Sequence, residues 1–496
     1  MNPNDVIPFA VPDVKALAPL IAVALTGIAL LLWGTARRGR GVAGHVVIAG
    51  AGVVVAMGLT WLLTSAEASA PLATDRFAKY LWSVCLLSAM ISALLSVKYV
   101  REEQLASAEF LALMLLSTVG MMALAGATEL ITLFVGFELM ALPVYILTGY
   151  YIKNRKSNEA AMKYFLLGLL SSGFMLYGIS LLYGTTGTTR LDEIAHHLLS
   201  NGTGASPLTV TAVVLLLVTF GFKIACVPFH VWTPDAYEGA PTPVTAFMTV
   251  GPKVAVYGAM IRVFAIALPA ASADWMMALS VMAGATMLLG NITAVVQNNV
   301  KRMLAYSTIA HAGYLLLGLI SAPINRPVPA TGLPDGFTAI LFYLLVYGLA
   351  NLGAFGVVIA LGREDGKGTR FEEYDGLAVT HPVLAALMLV FMLSLTGIPP
   401  TAGFVGKFYL FGAAVNAKYY GLAVLGVLTS AVSLYYYMRI PMRMYMNPPA
   451  GEHEVKQVPA MAVTLLLCGA SVLLLGVLFS PLVEIARESV RALLQV

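Results

Sequence analysis

The chain has 496 residues, of which 59% are hydrophobic and only 11% charged, with a mean hydropathy of +0.84. A soluble domain is about a quarter charged, so this composition marks a polytopic membrane protein. The net charge of +4 is small and scattered, and without a continuous basic stripe it excludes nucleic-acid binding.

Met1 to Lys15 is polar and holds three prolines, and the first apolar run ends in Arg37, Arg38 and Arg40. That pattern lacks a small-residue cleavage site, so no cleavable signal is expected. A window of about twenty residues then places fourteen candidate spans near 14–36, 42–64, 77–97, 105–126, 128–151, 159–184, 207–230, 240–264, 275–296, 303–322, 336–362, 380–415, 419–442 and 458–480. The twelfth is too long for one helix and contains Gly397-Ile-Pro-Pro-Thr-Ala-Gly403, which predicts two half-helices with a break. The longest connectors, 185–206, 323–335, 363–379 and 443–457, are too short for a soluble domain.

The expected architecture is therefore all-α, with about fourteen transmembrane helices. Spans four to eight contain a break with a lysine and so do spans nine to thirteen, the pattern of two five-helix inverted repeats. This divides the chain into an N-terminal three-helix region (1–104), a first repeat (105–267), a second repeat (268–445) and a C-terminal helix and tail (446–496). Sixteen of the 29 basic residues fall on one side of the spans and nine on the other. The richer side should be cytoplasmic, leaving both termini outside.

A few ionisable residues fall inside the spans. Glu138 lies near the middle of span five, Lys163 one turn into span six, Lys223 and Lys253 near the middle of spans seven and eight, and Lys407 beyond the break of span twelve. A charge at bilayer depth costs from a few to about ten kcal/mol. Prolines stand close to most of them. Pro143 follows Glu138 and Pro228 follows Lys223 at the same five-residue spacing, Pro252 directly precedes Lys253, and Pro399 and Pro400 come just before Lys407. Each would free the carbonyl four residues earlier, those of Leu139, Ile224, Met248, Leu395 and Thr396. Broken backbone at that depth needs protein or water around it, so these positions predict hydrated pockets along a buried path. Lys163 alone fits snorkelling to the headgroups equally well.

Burial disfavours an ammonium and a nearby carboxylate restores it, so a lysine whose carboxylate partner comes and goes can take up and release a proton. Glu138 with Lys223 is the candidate pair, with Lys163 competing for Glu138. Lys253 and Lys407 would carry the proton onward, bridged by His311 in span ten, since histidine relays protons near neutrality. The three cysteines, Cys85, Cys226 and Cys468, lie inside apolar segments and offer no iron–sulfur or haem spacing. Phosphate-binding and dinucleotide-binding glycine motifs are missing too, so no cofactor chemistry is expected on this chain.

The motifs that carry these charges are similar to a known family. Phe222 to Lys253 (F-K-I-A-C-V-P-F-H-V-W-T-P-D-A-Y-E-G-A-P-T-P-V-T-A-F-M-T-V-G-P-K), Gly136 to Tyr145, Asn299 to Tyr314 and Gly397 to Phe408 closely resemble the subunit N branch of the antiporter-like membrane subunits of bacterial proton-pumping NADH:quinone oxidoreductase, respiratory complex I. The resemblance spans roughly residues 105 to 440. The proline–lysine pair in span eight, a lysine rather than a glutamate at position 407, and the short tail distinguish it from the sister subunits L and M. It implies fourteen helices with helices seven and twelve broken, one proton channel, and roles in that channel for Glu138, Lys163, Lys223, Lys253 and Lys407. It also implies NADH, FMN, iron–sulfur clusters and quinone on other subunits, subunits M, L, A, J and K as partners, and a bacterial inner membrane as location. The alternatives are a subunit of a multisubunit sodium/proton antiporter, which shares this core, and a membrane scaffold that no longer pumps.

Overall fold

Apolar runs of about twenty residues leave a backbone no hydrogen-bond partner but itself, so each of them folds as a helix. The computed structural model describes residues 14–36, 41–62, 71–204, 206–322, 324, 333–362, 368–449, 455 and 458–494. Among them there are nineteen α-helices and no strands. In chain order these are α1 (Val14–Ala36), α2 (Val42–Leu62), α3 (Arg76–Glu102), α4 (Ser107–Gly126), α5 (Leu130–Thr148), α6 (Arg155–Thr186), α7 (Leu191–Ser200), α8 (Pro207–Ile224), α9 (Thr233–Gly239) and α10 (Thr242–Arg262, continued by a π turn). There follow α11 (Ser272–Val295), α12 (Val300–Ile320), α13 (Gly336–Leu361), α14 (Leu377–Thr380), α15 (Pro382–Thr396), α16 (Ala402–Asn416), α17 (Tyr420–Met446), α18 (Pro459–Val477) and α19 (Ser480–Leu494).

Thirteen helical segments among the described residues are long and apolar enough to cross a membrane. The remaining crossing is the pair α15 and α16, broken at Gly397 as the proline cluster predicts. Gly397 has φ +90°, a left-handed conformation that glycine adopts without the clash a Cβ would bring. The other break ends α8 at Ile224, where Ala225 turns left-handed at φ +63° and the chain re-enters helix as α9. Polar side chains cap several starts, Asp75 accepting from Ala78 N at 2.7 Å and Asp335 from Phe337 N at 2.9 Å. α10, α12 and α13 form the centre, their apolar windows 89%, 94% and 89% buried, whereas those of α1, α2, α17 and α18 are 33%, 28%, 33% and 33% buried.

The two expected repeats leave matching marks. The turn before α5 pairs with the one after α6 through an antiparallel bridge, Glu129 with Arg190, and the turn before α12 pairs with the one after α13 in the same way, Asn299 with Arg370. Backbones also approach closely at equivalent places. Gly120 of α4 packs on the backbone of Met140 in α5, and Gly290 of α11 packs on the backbone of Ala310 in α12, each glycine nine residues before the bridge residue and each partner eleven after it.

The structure differs from the sequence expectation at three connecting segments. The stretch 185–206 contains the amphipathic helix α7, with Leu191, Ile194 and Leu198 buried. The connector after span seven is itself helical as α9, and the tail forms the amphipathic helix α19, whose Val483, Ala486, Val490 and Leu493 pack inward. Short amphipathic helices lack the long apolar run that a hydropathy window detects. Seven basic residues used to orient the chain, Arg37, Arg38, Arg40, Arg326, Arg363, Lys367 and Lys456, lie outside the described residues.

Candidate functional site

Lys223, Lys253 and Lys407 are 4%, 2% and 4% exposed, and His311 is 2% exposed. No carboxylate is ion-paired to any of the three lysines among the described residues. Their ammonium groups are held by neutral oxygens and aromatic faces instead.

Lys223 stands at the end of α8, just before the break. Its Nζ donates to the Tyr145 hydroxyl at 2.9 Å and lies 4.7 Å, 4.8 Å and 5.5 Å from the ring centres of Phe137, Tyr145 and Tyr164. Such faces attract a cation by their quadrupole. The break itself is sealed by Trp232, whose Nε1 donates to the Phe222 carbonyl at 2.9 Å while its ring stacks on Tyr164 at 4.2 Å. Glu138 is half-buried on α5 and accepts from Ser172 Oγ. Ser172 Oγ is also 3.1 Å from the carbonyl of Gly168, and the Tyr145 hydroxyl occupies the place a side chain at Gly168 would fill. Ser172, Gly168 and Tyr145 thus stand between Glu138 and Lys223, which share a polar seam without direct contact.

Lys253 lies mid-way along α10, in a helix that continues unbroken through Pro252. Its Nζ donates to the Thr308 carbonyl of α12 at 2.9 Å, and Thr308 Oγ1 accepts from Tyr347 at 3.2 Å. The Met248 carbonyl freed by Pro252 faces the Tyr237 hydroxyl at 3.4 Å. His311, one turn beyond Thr308, has both ring nitrogens engaged: Nδ1 with the Tyr343 hydroxyl at 2.5 Å and Nε2 with the Tyr437 hydroxyl at 2.9 Å. The ring of Tyr314, 5.6 Å from that of His311, lies 5.0 Å from Lys407 Nζ. Lys407 Nζ donates to Ser430 Oγ and to the Thr396 carbonyl, each at 2.8 Å, the latter one of the two carbonyls that Pro399 and Pro400 were expected to free. His311 therefore stands between Lys253 and Lys407, as its place in the tenth span suggests.

Lys163 is placed elsewhere. It is 45% exposed and ion-paired to Glu159 at 2.8 Å and to Asp235 at 2.9 Å. The expected competition with Lys223 for Glu138 is replaced by this surface pairing. α6 packs against α9 at that height, so the nearest carboxylates are those of α9 and of its own preceding turn.

Residues 127–433 match the membrane family described as NADH:quinone oxidoreductase/Mrp antiporter, TM. Over 489 residues the chain is 42% identical to NADH-quinone oxidoreductase subunit N of Trichlorobacter lovleyi, covering 97% of this chain and 98% of that protein. This chain belongs to the NADH-quinone oxidoreductase subunit N family. Solved structures agree with the assignment. A chain of respiratory complex I from Thermus thermophilus is 34% identical, with a TM-score of 0.79 and coverage of 94% of this chain and 98% of its own. A chain of the Mrp complex from Dietzia sp. DQ12-45-1b, 23% identical with a TM-score of 0.79, shares the fold. The likeness to subunit N also takes in the first hundred residues and the tail, which the motifs alone did not reach.

This subunit N family chain also has charged groups that sequence reasoning assigned no part. Asp235 and Glu238, one helical turn apart on α9, clamp α6 to α12. Arg302 Nη1 donates to Asp235 at 2.8 Å and to Glu238 at 3.0 Å, and Lys156 pairs with Glu238 at 3.1 Å. Burial alone would raise both carboxyls, but hydrogen bonds from Lys163 and Arg302 to Asp235, and from Lys156 and Arg302 to Glu238, hold them below their ordinary values. Beside the clamp opens a cavity of about 520 Å³ lined by Tyr99, Glu102, Lys153, Glu238, Thr242 and Lys301 among others. Lys301 is only 4% exposed and donates to the carbonyls of Glu238 at 3.0 Å and Ala240 at 2.7 Å, a cation at the C-terminal end of α9. Lys98 does the same at the end of α13, donating to Ala360 O at 2.7 Å and Gly362 O at 3.1 Å. Both lysines sit near span ends, where hydropathy treats a charge as solvated. The one legible signal was the spacing of Asp235 and Glu238, which would face the same way on a helix.

Proposed function

We propose that this chain is a proton-translocating membrane subunit of NADH:quinone oxidoreductase, moving protons through buried lysines, a histidine and water while quinone reduction on other subunits drives it. The observation that carries the reading is the set of three interior lysines, Lys223, Lys253 and Lys407, each solvated by neutral oxygens with no carboxylate of the described residues ion-paired to it. Without a fixed counter-charge an interior ammonium is balanced against its neutral amine, and a distant carboxylate tips the balance.

In this mechanism Glu138 is the tipping charge for Lys223, acting through Ser172 and Tyr145. A proton gained or lost at Lys223 alters the field at Lys253 in turn. His311 relays between Lys253 and Lys407, because each ring nitrogen faces a hydroxyl that can donate or accept, so one proton passing through reverses both hydrogen bonds. Lys163 serves at the mouth, orienting Asp235. The chain makes and breaks no covalent bond apart from those to protons.

The repeats 105–267 and 268–445 would each supply half of this path, flanked by 1–104 and 446–496. The orientation proposed from basic residues puts the 520 Å³ cavity on the cytoplasmic side of a bacterial inner membrane and both termini outside. The proposed partners are the antiporter-like subunits M and L and the small subunits A, J and K, with NADH, FMN, iron–sulfur clusters and quinone held by other subunits. The shared fold of the Mrp chain favours a second reading, a subunit of a multisubunit sodium/proton antiporter. Co-purification with flavin and iron–sulfur subunits after mild detergent extraction supports the first reading and its failure the second.

The decisive test replaces Glu138 or Lys223 by alanine in the intact complex. Proton pumping is expected to fall while assembly stays intact. Pumping at the wild-type level would instead favour a structural scaffold.

A further inference from the structure

Asn351, in the middle of α13, is fully buried, and neither its amide nitrogen nor its carbonyl oxygen meets a partner among the described residues. An amide brings two donors and a two-lone-pair acceptor, and leaving them unmet inside a protein is costly. A residue chosen for packing alone would be apolar here.

Its surroundings follow from the helix register. Three residues before it, Gly348 packs on Val250 of α10, and four residues before it, Tyr347 donates to Thr308 of α12. Residues three and four apart share a face, so Asn351 points into the seam between α10 and α12, one turn beyond Tyr347. α12 and α13 run antiparallel there, with His311 against Tyr343 and Thr308 against Tyr347. The same register sets Asn351 level with Leu304, between Thr308 and Lys301. On one side of it, then, is the carbonyl that holds Lys253; on the other is Lys301, on the wall of the 520 Å³ cavity. Seven residues of helix separate Thr308 from Lys301, a rise of about 10 Å. Two or three waters at hydrogen-bond spacing cover that distance.

We propose that Asn351 is a water-positioning residue, holding a short file of waters that joins the cavity at Lys301 to the Thr308–Lys253 pair, so that protons reaching Lys253 are drawn from that cavity. The chemistry suits a carboxamide. It accepts from one water and donates to the next, and, having no ionisable group in the physiological range, it does not retain the proton. A proton entering the file from the cavity forms an O–H bond on the first water as that water releases one of its own to the next. The last water gives its proton to the neutral amine of Lys253. The proposal rests on the reading that Lys253 gains and loses a proton during turnover.

The test uses the intact complex, both reconstituted in vesicles for pumping driven by NADH and quinone and imaged at a resolution that shows waters. In the wild type, density is expected within about 3 Å of both Asn351 side-chain atoms, continuing toward Lys301 and Thr308. Asn351→Leu, close in size but apolar, should lose that density and pump as poorly as Lys253→Met, with NADH oxidation and assembly retained. Asn351→Ser, which keeps a hydroxyl and leaves room for water, should recover most of the pumping. If Asn351→Leu does not assemble, the wild-type density and the serine variant decide. Absent water density at Asn351 in the wild type, or wild-type pumping by Asn351→Leu while Lys253→Met is impaired, overturns the proposal alone. Wild-type pumping by Lys253→Met overturns the proton-path reading beneath it.

Discussion

Arg262, at the end of α10, forms a buried ion pair with Asp75 at the start of α3. The guanidinium Nη2 donates to both carboxylate oxygens at 2.7 and 2.9 Å, Nε donates to the Ala125 carbonyl at 3.0 Å, and the side chains are 3% and 8% exposed. Arg262→Met keeps much of the stem but strips Asp75 of both guanidinium hydrogen bonds, leaving it, among the described residues, the backbone donor of Ala78 at 2.7 Å. Removing one partner of a buried pair costs about 3–5 kcal/mol, within which the orphaned Ala125 carbonyl accounts for about 1–3 kcal/mol. At roughly 1.4 kcal/mol per tenfold, the folded fraction shifts by a factor of about 10² to several 10³, a large share of a typical stability of about 5–15 kcal/mol. The experiment is a double-mutant cycle with Asp75→Asn, read as thermal denaturation and as assembled complex per cell. Arg262→Met alone should lower the midpoint and the yield sharply, and adding Asp75→Asn should recover part of the loss, because a neutral amide tolerates burial better than a stranded carboxylate. A single variant as stable as the wild type, or two substitutions that simply add, would refute this account of how α3, α4 and α10 are locked.

Two further outcomes follow from particular groups. Gly397→Ala puts a Cβ at φ +90° and 2.9 Å from Lys407 Cδ, so about 1–2 kcal/mol of backbone strain and a displaced lysine are expected, seen as impaired pumping with NADH oxidation retained; wild-type pumping would dissociate Lys407 from the break. Asp235 and Glu238 are held below their ordinary values of 3.8 and 4.5, so the clamp's contribution is present above those values and fades as the pH falls through the lower, folded ones. The stability difference between wild type and Asp235→Asn should therefore be flat from pH 5 to 8 and close below about pH 4 in pH-dependent denaturation. A difference that instead changes near neutrality would point to another titrating group.

Much of the candidate path was legible in the residues. Lys223, Lys253 and Lys407 were recognisable because a charge inside an apolar run is anomalous wherever the helices end up, and Pro399-Pro400 marks a broken helix from local sterics alone. Spans could be placed because transfer from water to hydrocarbon is a property of each residue and its immediate neighbours. Packing decided the rest. Lys163, one turn into its span, reads equally well as buried or as snorkelling, and α6 carries it to the surface against Asp235, whereas Lys301, near a span end, is sealed under the end of α9. Asn351 carries no charge and sits in an ordinary apolar run, so only the seam of α10, α12 and α13 sets it apart. Which face of a helix meets which neighbour depends on contacts between segments up to hundreds of residues apart, as when Lys98 caps the end of α13. A hydropathy window adds up residues along one helix and carries no information about that choice.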